Sequence, residues 1–198
     1  MLATRQGGIL TKKGWFIIPD IQTGDRTVDE QAIGLEGFDF AGKTVLDLGC
    51  AEGLISAYAL MEGATLVHGC EIINDHLRVA RRLMAGKNAK FFEMDLNNFK
   101  QSHKNNVSQM LPRYDVVLML AIAHKLKDPA TFIKYAATLA DSLIIRLPAR
   151  ILSDKRSGFK PIDVPALLAP SFELVAEPTG PRGEWMGIFE RLGHASNR

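Results

Sequence analysis

From about residue 43 onward, apolar positions fall alternately into short unbroken runs and into helical spacing, which predicts strands and helices in alternation. A chain patterned in this way winds into a mostly parallel sheet covered by helices. Thr44–Cys50 (TVLDLGC) predicts the first strand, and Leu54–Glu62 the helix after it, stopped by Gly63. Leu66–Ile72 (LVHGCEI) predicts the second strand. Asn74 is placed to cap a helix reaching Ala85, with Leu77, Ala80, Leu83 and Met84 as its apolar stripe. Ala89–Asp95 is the third strand, and a polar stretch, Asn98–Met110, stands where a crossover helix is required.

Tyr114–Ile122 (YDVVLMLAI) is continuously apolar after its first two residues, the pattern of a central strand buried on both faces. Asp128 followed by Pro129 predicts a capped helix start, and Phe132, Ile133, Ala136, Leu139 and Ala140 its buried face. Ser142–Leu147 predicts a fifth strand and Val164–Leu168 a short helix. Phe172–Glu177 and Trp185–Arg191 predict a hairpin across the turn Pro178–Gly183. Residues 1–42 precede the alternating pattern. There Thr27 and Glu30 have capping-box spacing, and Trp15–Ile18 is an apolar patch, so the segment reads as a flap added to a core of residues 43–198.

Two glycine-bearing segments compete as ligand loops. Gly37–Thr44 (GFDFAGKT) matches the GxxxxGK[ST] phosphate loop, but Lys43 and Thr44 run into a strand instead of opening a helix. The match therefore lacks the context that chemistry needs. Asp47–Gly53 (DLGCAEG) has that context, at the end of the first strand and just before the first helix, where open α/β sheets bind ligands. Gly49 and Gly53 can take positive φ, and the small residues Gly49, Ala51 and Gly53 let the backbone approach a ligand. Asp47 can orient that loop or meet a cationic group. Eighteen positions after Gly53 stands Glu71, at the end of the second strand, where a carboxylate can accept from both hydroxyls of a ribose. A dinucleotide fingerprint is incomplete, since Ala51 replaces its second glycine and Leu54 its third. Asp95, ending the third strand, can accept from an adenine amino group, with Ile72 against the ring. The set describes an adenosine site without phosphate handling.

These motifs resemble those of the class I S-adenosylmethionine-dependent methyltransferases, over about residues 42–192. VLDLGCAEG is similar to the family's first motif, Glu71 to its ribose-binding acid, Asp95 to its adenine-contacting acid, and YDVVLMLAIAHKLKDP to its fourth-strand segment. The resemblance implies a Rossmann-like α/β fold whose seven-stranded, mostly parallel sheet has the order 3-2-1-4-5-7-6 with an antiparallel last strand and helices on both faces. It also implies S-adenosyl-L-methionine as cofactor, held by Asp47, Gly49, Cys50, Ala51 and Gly53 in the bend, by Glu71 and Ile72, by Asp95 and Leu96, and by Leu120 on the fourth strand. No (Asn/Asp)-Pro-Pro-aromatic signature of amino-nitrogen methylation follows that strand, where Ala121-Ile122-Ala123-His124 stands instead. The lead-in GWFIIPDIQTGDRT is similar to that of the tRNA wobble-uridine methyltransferase-like group through Trp15, Asp20 and Gly24, three residues that assign no RNA acceptor.

His124, at the end of the fourth strand, is the candidate general base for a hydroxyl acceptor, since its side chain titrates near neutrality. Most of Arg146, Arg150, Lys155, Arg156, Lys160 and Arg182 are expected to rim the same edge, where they suit an anionic acceptor, a small molecule or RNA, although a solvated surface loop diluted by Asp154, Asp163 and Glu184 is the commoner origin of such a cluster. Arg78, Arg81 and Arg82 read as a solvated helix face. The alternative reading is a module that binds the cofactor without turnover.

Composition narrows this little. The 198 residues are 46% hydrophobic and 23% charged, as in an ordinary globular domain. A formal charge of +2 permits a nucleic-acid partner without demanding one. Cys50 and Cys70 are the only cysteines, so free thiols that pack are expected, with no structural metal. The longest apolar run, Val116–Ala123, has eight residues against the roughly 20 a bilayer requires, and Met1–Asp20 has no secretory pattern. A cytoplasmic chain, clear of the membrane, is expected.

Overall fold

The computed structural model describes residues 14–19, 21–106, 108–148 and 162–193. Seven strands form one sheet: β1 (Thr44–Leu48), β2 (Leu66–Glu71), β3 (Ala89–Glu93), β4 (Tyr114–Leu120), β5 (Ala140–Leu147), β6 (Phe172–Ala176) and β7 (Trp185–Arg191). Their order is β3-β2-β1-β4-β5-β7-β6, as the family resemblance implies. β1 to β5 pair in parallel, while β7 runs antiparallel between β5 and β6.

Burial accounts for the strand sequences. β1 has four consecutive buried residues after Thr44, and the apolar run of β4 lies between β1 and β5 with helices over both faces. One apolar cluster joins Val117, Met119, Leu143 and Ile145 to the helix residues Phe132, Ile133 and Ala136. On the opposite face Val45, Val116, Leu118 and Ile144 meet Ile55 and Ala59. Phe16, Ile18, Leu35 and Phe40 of the lead-in join this second cluster.

Among the described residues the α-helices are α1 (Val28–Ala32), α2 (Leu54–Met61), α3 (Asn74–Leu83), α4 (Phe99–Asn105), α5 (Pro129–Thr138) and α6 (Val164–Leu168). The Thr27–Glu30 capping box closes α1 reciprocally, and Asp128 caps α5 through the Thr131 N–H. Three local expectations need correction. Ile73, not Asn74, is the N-cap of α3, and its apolar side chain has no acceptor to offer, so α3 starts without a side-chain cap. The helix expected over Asn98–Met110 is confined to the short α4, Phe99–Asn105, which follows a 3-10 turn at Leu96–Asn98. Arg81 is not idle solvation, since it donates to the Phe91 carbonyl at 2.9 Å and ties α3 to β3. Thr44 opens β1 directly, which removes the phosphate-loop reading of Gly37–Thr44. No helix among the described residues is long and apolar enough to cross a membrane.

Candidate functional site

A cavity of about 240 Å3 opens at the carboxyl ends of β1, β2 and β4, where a parallel sheet presents loops instead of ladder bonds. Asp47, Gly49, Cys50 and Ala51 bound it on one side, Glu71 and Ile72 on the second, Asp95 and Leu96 on the third, with Leu120 at the tip of β4. Nine of the ten expected cofactor residues therefore face one space. Gly53 does not. At φ 76° it is the left-handed N-cap of α2, and a Cβ there would press to 3.0 Å from Ala80.

The bend is held by its neighbours. Gly49 lies at φ 79°, and an added Cβ would meet the Ile122 side chain at 2.9 Å. Gly49 and Cys50 both donate to the Cys70 carbonyl, at 2.8 and 3.0 Å. Ala51 has φ 47°, a left-handed conformation that disfavours a Cβ, so alanine here costs more than a small-for-small replacement suggests. Its N–H donates to Glu71 Oε2 at 3.1 Å.

Glu71 is the junction. Oε1 accepts from Ile72 and Ile73 at 2.7 and 3.0 Å, so three backbone donors occupy a carboxylate with about four lone-pair directions. That leaves room for about one further donor, where the sequence suggested two. Burial pushes this carboxyl up, but the nearby His76 ring and the bonds from the Ile73 and Ile72 amides outweigh it and hold the group below its ordinary range. Asp95 caps the 3-10 turn through Asn97 N–H at 2.9 Å, which keeps its carboxyl low as well. Asp47 behaves oppositely. Burial pushes it up to about 6, although the Ser56 hydroxyl donates to it at 2.7 Å. A buried negative group with so little compensation suits a cationic ligand. The donor set as a whole fits an adenosine bearing a positive charge, with half-exposed Ile72 as an apolar platform between two acids. Cys50 and Cys70 are buried and burial raises both thiols, as expected of packing residues.

A matching family profile describes a methyltransferase domain and covers residues 39–154. The chain belongs to the S-adenosylmethionine-dependent methyltransferases. A ubiquinone biosynthesis O-methyltransferase from Serratia proteamaculans is 31% identical over 99 residues, 49% of this chain and 38% of that protein, so the chain spans well under two thirds of its curated relative. Among solved structures, a magnesium protoporphyrin IX methyltransferase from Synechocystis PCC 6803 with bound S-adenosylmethionine superposes with TM-score 0.58 at 22% identity, covering 77% of this chain and 72% of that one. An S-adenosylmethionine-dependent methyltransferase from Mesorhizobium loti gives 0.61 at 14%, covering 77% and 93%. Both structural likenesses carry the fold.

The remaining candidate residues lie elsewhere. His124 stands beside the cavity bounded by Glu71 and Asp95, in an adjoining groove on the 3-10 turn Ala123–Lys125. Arg146 is not on a rim: 3% exposed, it donates to the Gln31 carbonyl and side chain at 2.7 and 2.8 Å and pairs with Glu184 at 3.1 Å. Arg150, Lys155, Arg156, Lys160 and Asp20 lie outside the described residues. Among the described residues no cluster of three His, Cys, Asp or Glu side chains could hold a metal.

Several wall residues escaped the sequence reading. Glu52 is fully buried, and its Oε1 accepts from Trp15 N–H at 2.9 Å and Gln22 Nε2 at 3.0 Å, strapping residues 14–26 onto the bend. His76 Nε2 lies 3.6 Å from the same oxygen and its Nδ1 4.0 Å from Glu71; burial lowers its pKa, but the two carboxylates outweigh that and raise it. Trp15 and Phe16 both line the cavity, and Phe16 is at the same time a buried member of the core. The available signal was a charged residue inside a glycine-rich bend, Glu52, which solvation alone does not explain.

Proposed function

We propose that this chain transfers the methyl group of S-adenosylmethionine to an oxygen nucleophile on a small acceptor, with residues 14–42 as a flap beside the acceptor. The cofactor supplies an electrophilic methyl group on a sulfonium, so the protein needs chiefly to align and desolvate. In this reading Glu71 accepts from the ribose, Asp95 from the adenine amino group, and Ile72 and Leu96 flank the ring. The 49–53 bend keeps backbone against the ligand, Leu120 closes the floor, and Asp47 sits near the positive charge. His124 accepts the acceptor's hydroxyl proton. The supporting observation is that the His124 groove shares Trp15, Arg26, Ala121 and Lys125 with the cavity bounded by the motif residues. The O-methyltransferase relative supports oxygen as the attacked atom.

Incubation with methyl-labelled cofactor and fractionated metabolites or RNA tests the reading. Label is expected on a hydroxyl of a low-molecular-weight acceptor, with release of S-adenosylhomocysteine. Cofactor binding with no transfer to any fraction would overturn it in favour of a silent binding module. With the acceptor in hand, His124→Gln should lower kcat by about 100-fold while leaving cofactor affinity unchanged in calorimetry.

A further inference from the structure

Beyond Ala121, the groove that holds His124 has a volume of about 270 Å3 and a strongly one-sided charge. Its cations are Arg26, Lys125 and Arg182, with His124 beside them. Among the described residues its single carboxylate, Glu184, is committed to Arg146 at 3.1 Å. Arg26 and Lys125 share one indole: the guanidinium carbon lies 4.3 Å and the ammonium 4.5 Å from the Trp15 ring centroid.

Neither cation is well compensated. Asp25 reaches Arg26 Nε at 3.7 Å from a largely exposed position, and among the described residues that buried Nε has no hydrogen-bond partner. No carboxylate among the described residues lies within ion-pair distance of Lys125, whose amine is pushed down by burial and held up by the field of Glu71 while Arg26 opposes it. Two like charges gathered on one aromatic ring in a half-closed groove are costly unless an anion joins them. Trp15 reaches that position because its N–H is fixed on the buried Glu52, so the arrangement is built into the fold.

We propose that this groove is the acceptor subsite for an anionic oxygen group, a carboxylate or a phosphate, gripped by Arg26 and Lys125 with Arg182 at its edge. The inference rests on the methyl-transfer reading, since it places the anion next to the cofactor cavity; Arg26 and Lys125 line both spaces, and Arg182 lines the groove alone. It accounts for a lead-in that approaches the site with an arginine. The volume suits the end of a small molecule, not a polymer.

The test is direct binding of benzoate, phenyl phosphate and neutral benzamide to the intact protein, by calorimetry and by Trp15 fluorescence in a Trp185→Phe background. Binding of S-adenosylmethionine is measured in parallel. One or both anions should bind and benzamide should not, with affinity falling as salt rises. A preference between benzoate and phenyl phosphate identifies the source of the anion. Arg26→Gln and Lys125→Gln should each weaken binding roughly ten-fold, and Lys125→Arg should retain it. Arg182 lines the groove and not the cofactor cavity, so Arg182→Asn, which tolerates the left-handed backbone there, should weaken the anion alone.

Intact cofactor binding with no anion bound, or anions held equally by the glutamine variants, would overturn the subsite. So would benzamide binding as tightly as benzoate, or affinity for short RNA that grows with its length. Absence of cofactor binding would instead strike the methyl-transfer reading.

Discussion

At the end of the cavity beside β2 and β3, the polar groups sit on strand tips and are fixed by backbone bonds. At the opposite end they sit on loops and are fixed by side chains. Glu71 is pinned by three amides and Asp95 by its own turn, whereas Trp15, Arg26 and Lys125 depend on one buried carboxylate and an indole face. The first end lies within the family match at residues 39–154, and two of the three residues of the second, Trp15 and Arg26, lie before it. Strand tips suit a constant ligand, and loops suit a ligand that differs between relatives.

Substitutions break that contrast in graded ways. Gly49→Arg is expected to abolish cofactor binding in calorimetry, because position 49 has φ 79° and its Cβ already meets Ile122. Glu71→Ala should weaken the cofactor roughly ten- to hundred-fold, since it removes a charged acceptor and strands the Ala51, Ile72 and Ile73 amides. Asp47 gives a pH test. Its folded value of about 6 exceeds the ordinary 3.8, so its contribution to stability is intact below pH 3.8 and is lost as pH rises through 6. Asp47→Asn should therefore be more stable than the parent above pH 6, by up to roughly 3 kcal/mol, with no gain near pH 4 in chemical denaturation. Cofactor affinity of the parent should fall as pH drops through the same range.

At the other end, Glu52→Ala should cost about 1–3 kcal/mol and release residues 14–26 to proteolysis, while moving cofactor affinity less than Glu71→Ala does. The smallest effect is expected at Ala51→Gly. Relief of the left-handed backbone, about 1 kcal/mol, is mostly offset by the greater freedom of glycine in the unfolded chain, leaving the melting temperature nearly unchanged.

The same contrast separates what could be read in the sequence from what could not. Strand runs, the Thr27–Glu30 box and the Asp47–Gly53 bend are local signals, and each lies within a few positions of its own cause. Glu71 and Asp95 were legible because strand ends repeat on a parallel sheet. Arg146 was misread because its partner Gln31 lies 115 positions away and no spacing rule reaches that far. The gathering of Arg26 and Lys125 on Trp15 was missed for the same reason, and Asn74 lost its place as cap because α3 begins one residue earlier, after Ile73.

The buried guanidinium of Arg146 joins α1, β5 and the turn that carries Glu184, three places with no contact in the order of the chain. A transplant of the front segment between cousins of this enzyme would have to bring along compatible side chains at 31, 146 and 184. Any lineage that exchanges this segment must therefore change those three sites in concert, or leave a positive charge stranded in the interior.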